Sequence, residues 1–487
     1  MKNISLPRRA RLLSFPIAGV LLSVTSFATH ATTAKVFKAG AATSNVTPPL
    51  GTDLVGGWEP RPAQHIHDDL HARCLVLDNG ATRLGFVVVD SVSVNREVFD
   101  EAKRMIKEAT GIPASHLMMS ATHTHSGPSS RGSDSLVFGD PLDDYQRFLA
   151  RRIVDGVRRA INNLEPARIA WGIGSMPEHV ASRRWLIKDG RTVPNPFGGQ
   201  DRVVRPTTEQ RDRVEKPAGP VNPEVYFISV RATDGRRIAL LANYWLHYVG
   251  GTGPAHASAD YFGYFAREIG HQLGAARNDP PFVGIMANGP CGDVISDAPR
   301  KAYKPYEKMR LIAANVAKEV VRVERTIPYH DWVELRAAAS ELPLKMRRPT
   351  PELVRRAKQV LARPPIVKAI HSKETVYAER TLKALDWPET ISIVMQTFGI
   401  GDLGIAAIPF EVLTETGYDV RDQSPYKTTF TIELANGGYG YLATPERHEL
   451  GGYETWLGTN RVEKQASRKI VAEIRKLFVQ IKGGAAD

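Results

Sequence analysis

The chain has 487 residues, of which 42% are hydrophobic and 24% charged, and its formal net charge is +12. These values are typical of a globular protein with a large core. Its basic residues are dispersed, with no recognition motif and no interleaved aromatic residues, which argues against nucleic acid as a partner. The positive charge is compatible with peripheral contact with anionic lipid surfaces.

The N-terminal 31 residues have the three parts of a secretory signal peptide. An apolar run at 15–24 precedes small residues at 28–31, and the basic residues before the run are Lys2, Arg8, Arg9 and Arg11. The run is too short to span a bilayer and no later stretch is long enough, so no transmembrane segment is expected. We expect cleavage after Ala31 and a secreted or periplasmic protein. Cleavage removes four basic residues and no acidic one, so the charge falls from +12 to +8.

Hydrophobic periodicity then predicts elements in chain order. Strands are expected at 36–46, 72–78, 84–90, 117–121, 167–172, 225–230, 238–245, 391–400 and 403–408. Helices are expected at 95–110, 142–163, 261–273, 306–324 and 461–479. The alternation indicates an α/β (mixed α+β) class with mixed sheets flanked by helices. One domain at 32–487 follows, because no repeat or clean linker divides the chain.

Two segments interrupt this pattern. Residues 194–223 are polar and rich in Pro, Gly and Arg, which predicts a long surface excursion. Residues 351–385 are helical and basic, typical of a peripheral insertion or flap.

The cysteines, Cys74 and Cys291, allow either one disulfide or two buried thiols. Neither has zinc-finger spacing, so a bound metal would need other ligands.

The segment Ala-Thr-His-Thr-His-Ser-Gly-Pro at 121–128 carries two histidines one residue apart. On a strand, this spacing puts His123 and His125 on the same face. The following Ser-Gly-Pro ends the strand, and α/β proteins keep their sites at strand ends. A metal could use one or both imidazoles, with the other left for proton transfer or oxyanion contact. The alternative is a polar strand end that merely holds two histidines.

Three later segments have the same character. His247 follows an apolar strand, and Asp260 starts the next helix, where a carboxylate caps the backbone or orients a ligand. Glu411 follows a strand broken by Pro409. A hydrogen-bonded core histidine and a helix-favouring glutamate are the alternatives. The glycine-rich stretch 437–446 lacks a P-loop pattern, and close backbone approach with tyrosines facing a cleft fits it better.

Together these segments resemble the neutral/alkaline (non-lysosomal) ceramidase family over residues 38–477. The segments that carry the resemblance are 40–49, 78–80, 122–128, His247 with 258–261, 409–411, and the stretches around Tyr441 and Tyr453. The resemblance implies a single zinc-hydrolase catalytic domain. Its zinc ligands would be His123, His247, Glu411 and Tyr441.

The same resemblance implies further roles. His125 would lie beside the metal on the oxyanion side, and Tyr453 would stabilise the tetrahedral intermediate. Arg183 matches an active-site arginine, although Arg184 is adjacent and a surface ion pair is the alternative. Where family members carry a serine, ungapped alignment gives Ile295, with Ser296 next to it. A zinc-activated water does not need that serine.

The expected function is an exported zinc-dependent amidohydrolase that cleaves an N-acyl amide, as in hydrolysis of N-acylsphingosine to sphingosine and fatty acid. Family members commonly carry a C-terminal immunoglobulin-like domain, and we expect none here, since the chain ends after its terminal helix. Long-chain ceramide is therefore less firmly implied than the hydrolytic chemistry. An ester or lactone hydrolase and a degenerate, non-catalytic ligand binder remain as alternatives.

Overall fold

A computed structural model describes residues 35–483, apart from 129, 131–140, 297–302, 365 and 367. The predicted signal peptide and its cleavage site lie outside the described residues. Among the helices of the described ranges, none is both long and apolar enough to cross a membrane.

The largest element is a mixed sheet of eight strands, ordered β8-β7-β6-β5-β1-β2-β3-β4. Its strands are β1 Lys38–Asn45, β2 His71–Asp78, β3 Arg83–Val89, β4 Leu117–Ala121, β5 Glu165–Ser175, β6 Glu224–Ala232, β7 Arg237–Tyr244 and β8 Val283–Asn288. The pairs β3–β4 and β7–β8 are parallel, and the others are antiparallel. Strands β3, β7 and β8 are almost continuously buried because both sheet faces are covered.

A second sheet of four strands packs against the first. It runs in the order β9-β10-β11-β12, with β9 Leu335–Lys345, β10 Thr390–Ile400, β11 Leu403–Ile408 and β12 Thr428–Glu433. One buried cluster holds residues of both sheets, and Phe86 meets Phe398 across it with ring centroids 5.3 Å apart. The two sheets therefore enclose a common hydrophobic core.

The described residues also form helices. They are α1 Arg96–Thr110, α2 Asp144–Asn162, α3 Asp260–Gln272, α4 Glu307–Glu324, α5 Pro351–Leu361, α6 Glu374–Lys383, α7 Thr414–Asp422, α8 Pro445–Leu450 and α9 Ala466–Lys482. Helices α1 and α2 pack on one half of the large sheet and α3 and α4 on the other, while α9 covers the small sheet. The order of layers is thus helices, large sheet, small sheet and helix.

Local sequence explains the helix ends. Helix α1 buries Val98, Ala102 and Ile106 at helical spacing, and it stops at Gly111, whose φ of 76° is left-handed. Helix α2 begins at a capping box in which Asp143 and Gln146 satisfy each other's backbone N–H groups.

Short elements complete the fold. The paired short strands are Asp53–Leu54 with Arg61–Pro62, His65–Ile66 with His256–Ala257, Trp185–Ile187 with Val203–Val204 and Val214–Pro217, Val193–Pro194 with Gln200–Asp201, Ala181–Ser182 with Val294–Ile295, and Glu411–Val412 with Tyr441–Leu442. The 3₁₀ turns are Ala114–His116, Pro177–His179, Lys188–Gly190, Thr208–Arg213 and Tyr453–Thr455.

The predicted α/β class, with mixed sheets and flanking helices, is confirmed. The segment 194–223 is not featureless, because it contributes short paired strands and a 3₁₀ turn. The terminal helix begins at Ala466 and not at the predicted Arg461. Strands β8, β9 and β12 and helix α7 were not predicted from periodicity.

The two cysteines do not form a disulfide. Both are free and buried, and they belong to different hydrophobic clusters. Burial raises the pKa of the Cys74 thiol to about 12. Two buried thiols, one of the two alternatives from the sequence, is the correct reading.

Candidate metal centre

Five of the seven predicted site residues follow the carboxyl ends of four strands. His123 and His125 come after β4, His247 after β7, Glu411 after β11, and Tyr441 after β12. The segment after β12 bonds to β4, since Ala121 N donates to Leu434 O at 3.2 Å and Asn436 N to Met119 O at 2.8 Å. This junction brings strand ends of both sheets to one place, where α/β folds commonly carry their sites.

The His-x-His pair converges for a different reason from the one predicted. Strand β4 ends at Ala121, and His123 adopts a left-handed φ of 67°, so the alternation of a strand does not apply. His123 N donates to Ser91 O at 2.9 Å, which fixes this turn. Gly56 touches His125 so closely that a Cβ on it would lie 2.0 Å from the His125 carbonyl oxygen. Backbone packing therefore sets the two rings.

Three imidazoles present the same nitrogen to a common centre. The Nε2 atom of His123 lies 3.0 Å from that of His125 and 3.2 Å from that of His247. Each Nδ1 faces a backbone carbonyl, at 2.8 Å for His123 to Val92, 2.6 Å for His125 to Gly56, and 3.1 Å for His247 to Cys291. Carbonyl oxygens only accept hydrogen bonds, so each Nδ1 carries the proton and each Nε2 a lone pair.

Glu411 adds a carboxylate to these nitrogens. Its Oε2 atom lies 3.3 Å from Nε2 of His123 and 3.9 Å from Nε2 of His247. The short strand Glu411–Val412 pairs in parallel with Tyr441–Leu442, which sets Glu411 beside Tyr441. Burial acts to raise the pKa of Glu411, but His123 and His247 outweigh it and hold that pKa well below its usual range.

This donor set fits a metal ion. Within the described part of the chain, the imidazoles of His123, His125 and His247 have ligand atoms close enough together to hold a metal ion. Burial, together with neighbouring His123, lowers the pKa values of His125 and His247 well below the usual range, which favours the neutral, ligating form. Glu411 Oε2 is buried with no hydrogen-bond partner. Converging lone pairs and an orphaned carboxylate oxygen attract a cation, and imidazole with carboxylate suits Zn²⁺.

Arg183 and Tyr453 lie beside this centre. Arg183 is buried, and its guanidinium carbon is 5.0 Å from the Tyr441 ring centroid and 5.5 Å from that of Tyr453. Its Nε atom donates to Glu454 at 2.7 Å, while its Nη2 atom is buried without a partner. Arg184 also pairs with Glu454 but does not line the cleft, so Arg183 is the arginine that faces it.

Two buried residues that the sequence analysis did not assign to the site, Glu433 and Cys291, hold the ligands in place. Glu433, the last residue of β12, accepts from Val412 N at 2.7 Å and from Cys291 N at 3.2 Å. Cys291 Sγ donates to its other oxygen at 2.9 Å, and the Cys291 carbonyl accepts from His247. Glu433 thus connects the backbone beside Glu411 with the anchor of His247. A carboxylate at a strand end was the available signal.

Asp260 orders the loop after His247. It is the first residue of α3, and its carboxylate accepts from Val249 N at 3.1 Å, Gly250 N at 2.8 Å and Tyr261 N at 2.6 Å. Burial raises its pKa to about 6 despite these donors. The predicted backbone-capping role of Asp260 is therefore present.

The centre opens into a cleft of about 440 Å³. All seven predicted site residues line it: His123, His125, Arg183, His247, Glu411, Tyr441 and Tyr453. Ser296 does not line it, and Ile295 lies in a smaller adjoining hollow. Sequence reasoning missed Trp58 and Tyr248, whose ring stacks on His125 at 3.5 Å. The helical segment 351–385 contributes His371, Lys373 and Arg380, so it belongs to the cleft wall rather than the periphery.

Solved structures share this fold. A neutral ceramidase from Pseudomonas aeruginosa superposes with a TM-score of 0.68 at 18% identity, over 91% of this chain and 74% of that one. A structure described as ceramidase complexed with C2 gives 0.69 at 16% identity, over 93% and 76%. No protein-family model matches the chain, and no curated protein does. The resemblance to the neutral ceramidases is thus confirmed at the level of the fold.

Proposed function

We propose that the protein is a zinc-dependent hydrolase of N-acyl amides, ceramide-like in its chemistry. The observation that carries the proposal is the meeting of three imidazole Nε2 atoms and the Glu411 carboxylate at the base of a cleft. The structural likeness to ceramidases supports an acylated amine as the substrate class. Amide hydrolysis adds water across the C–N bond and yields a carboxylate and an amine.

His123, His247, Glu411 and Tyr441 would hold the zinc ion. Tyr441 hydrogen-bonds Glu411, and burial raises the pKa of its hydroxyl well above the usual range. When bound, zinc supplies Lewis acidity and lowers the pKa of water. The backbone carbonyls of Val92 and Cys291 orient the two histidines, a support that strengthens metal binding.

The chain's own side chains would stabilise the oxyanion that forms at the scissile carbonyl. Arg183 offers the buried Nη2 donor that has no other partner. Tyr453 offers a hydroxyl, and burial raises its pKa well above the usual range, so it remains a donor. His125, oriented by Gly56 and Tyr248, offers the Nε2 lone pair, which would take a proton from the attacking water and pass it to the leaving amine. Each such donor is worth about 3 kcal/mol in acyl transfer.

Export is a further part of the proposal. It rests on the signal-peptide pattern of residues 1–31. Expression of the full chain in a Gram-negative host and N-terminal sequencing of the periplasmic protein tests it. We expect the mature chain to begin at Thr32. An intact N-terminus on cytoplasmic protein would contradict export.

The test of the enzyme is zinc content together with fatty-acid release. We expect about one zinc per chain and release of acid from short- and long-chain ceramides in detergent micelles. His247→Ala should lose the zinc and at least roughly a thousandfold in activity. His116→Ala is the matched control, since His116 bonds the Arg83 carbonyl away from the cleft.

The other outcomes separate the alternatives. Hydrolysis of matched esters but not amides would replace the amidohydrolase by an ester or lactone hydrolase of the same site. Zinc bound without turnover on any acyl substrate would indicate a ligand binder. Full zinc occupancy in His247→Ala would overturn the ligand assignment.

A further inference from the structure

We propose, building on the hydrolase function above, that the acylated amine carries an anionic group and that Lys373 and Arg380 bind it. An uncharged sphingolipid head group would leave these two cations unused. The inference concerns the substrate class, and it rests on the charge distribution of the cleft wall.

Two carboxylates line the cleft, Glu411 and Glu454, against five cationic side chains: Arg183, Arg205, Lys373, Arg380 and Arg461. Glu411 lies against His123 and His247. Glu454 is buried and paired with both Arg183 and Arg184. Neither is positioned to neutralise a cation elsewhere in the wall, so the remaining lining has a positive potential.

Lys373 and Arg380 flank one exposed aromatic ring. Lys373 Nζ lies 3.9 Å from the centroid of Trp58, and the Arg380 guanidinium carbon lies 5.6 Å from it. Trp58 keeps 46% of its surface exposed. In the described part of the chain, neither cation has a carboxylate within 4.0 Å. Glu374, next to Lys373, is buried and pairs with Arg356 and Arg363. Glu379, next to Arg380, is exposed and forms none of the ion pairs seen among the described residues.

The arrangement differs from an ordinary solvated helix face. Both side chains are half-buried, and Arg380 also packs on Tyr377 with its guanidinium carbon 5.0 Å from the ring centroid. Lys383, on the same helix, is exposed and does not line the cleft. Two like charges held on one ring repel each other, and a bound anion between them relieves that repulsion.

The cation pair is close to the reaction centre. The Trp58 ring meets Tyr453 edge-on at 6.1 Å, and Tyr453 meets Tyr441 at 5.4 Å. An anion at Trp58 is therefore within reach of a short amine whose nitrogen is near Tyr453. Exposed Arg205 also lines the cleft and adds positive charge near Tyr248. These spacings fit an N-acyl amino acid or N-acyl aminosulfonate, in which two or three atoms join nitrogen and anion.

The experiment compares matched substrates that differ in charge. Zinc-loaded protein is assayed for laurate release from N-lauroylglycine, a carboxylate, from N-lauroyltaurine, a sulfonate, and from uncharged N-lauroylethanolamine. We expect kcat/KM to favour an anionic substrate at least about tenfold, and the two anions separate carboxylate from sulfonate recognition. Lys373→Met and Arg380→Met should each reduce the anionic preference by on the order of tenfold. Lys383→Met is the matched control and should keep it.

Failure of the inference is distinguishable from failure of the proposed function. Equal kcat/KM for charged and uncharged substrates, unchanged in Lys373→Met and Arg380→Met, would overturn the inference and leave the hydrolase standing. If no amide is cleaved, calorimetric binding of the same compounds decides the matter. Tighter binding of an anion that weakens in both variants would uphold it, and equal binding would overturn it.

Discussion

Two parts of the cleft are built in different ways: the floor, formed by the three histidines and Glu411, and the outer wall, formed by Lys373 and Arg380 around Trp58. On the floor, each histidine is fixed by a hydrogen bond from Nδ1 to a backbone carbonyl, and the polar atoms that remain point at one another. On the wall, Lys373 and Arg380 lie half-buried on aromatic rings and line the open cleft. The floor is pre-organised for one chemistry, whereas the wall has charge to offer a substrate. This difference suggests that reaction and substrate choice can be altered separately.

Tyr453→Phe should have the largest effect among the variants that change the reaction without changing the metal content. Loss of one oxyanion donor on the floor should lower kcat about a hundredfold while the zinc content stays unchanged. Steady-state kinetics with metal analysis measures both. Tyr426→Phe is the control, since Tyr426 is a buried ring that packs on Phe478 and does not line the cleft. An unchanged kcat in Tyr453→Phe would remove Tyr453 from the mechanism.

Glu433→Ala tests whether the floor depends on its buried support. We expect zinc affinity to fall about 10–100-fold, because the Val412 and Cys291 backbone N–H groups lose their shared acceptor. The same loss should cost about 2 kcal/mol in free energy of unfolding. Chelator competition and urea titration measure the two effects. Glu433→Gln keeps an acceptor and should retain most of both; equal defects in the two variants would contradict the positioning role.

Acid should destabilise the fold at helix α8, which precedes Tyr453 in the chain. Burial, with Arg347 nearby, lowers the pKa of His448 in α8 to about 3, and its Nε2 is buried without a partner. Between about pH 6.5 and 3, His448 is therefore protonated in the unfolded chain but neutral in the folded chain. The free energy of unfolding falls as the pH decreases through this range. His448→Gln should reduce the loss between pH 7 and 4 by about 2 kcal/mol. Thermal unfolding across this range checks it, with His116→Gln as control; identical pH profiles would refute it.

The smallest effect concerns salt. Partly exposed cations on the wall are screened as ionic strength rises, while a coordinated metal is not. We expect kcat/KM for N-lauroylglycine to fall about fivefold between about 0.05 and 0.5 M sodium chloride. The value for N-lauroylethanolamine should stay constant and corrects for general salt effects. Parallel curves for the two substrates would contradict an electrostatic role for the wall.

Local patterns were sufficient to predict much of the fold. The strands Leu117–Ala121 and Leu403–Ile408 match their predicted bounds because each is a short apolar run with both faces buried. Strand β9 was missed because its exposed and buried residues follow no regular alternation and it contains Pro343. Strand β12 was missed because it is rich in threonine, and tertiary packing buries it.

The site shows the same division. Histidines and carboxylates at strand ends pointed to the floor, and all seven predicted residues line one cleft. Glu433 escaped notice because its partner Cys291 is 142 residues away in sequence. The left-handed turn at His123 escaped because packing, and not residue type, imposes it. Non-local contacts of this kind leave no trace in a short window of sequence.

The junction between the two sheets has a consequence for how the protein matures. The large sheet carries His123 and His247, and the small sheet carries Glu411 and Tyr441. A chain that has built only one sheet owns half of the proposed ligands and holds a metal poorly. If the protein binds zinc as proposed, the ion would bind only after both sheets have formed, and its binding would stabilise their association. Metal binding would then distinguish chains in which both sheets are formed and packed together from chains in which they are not.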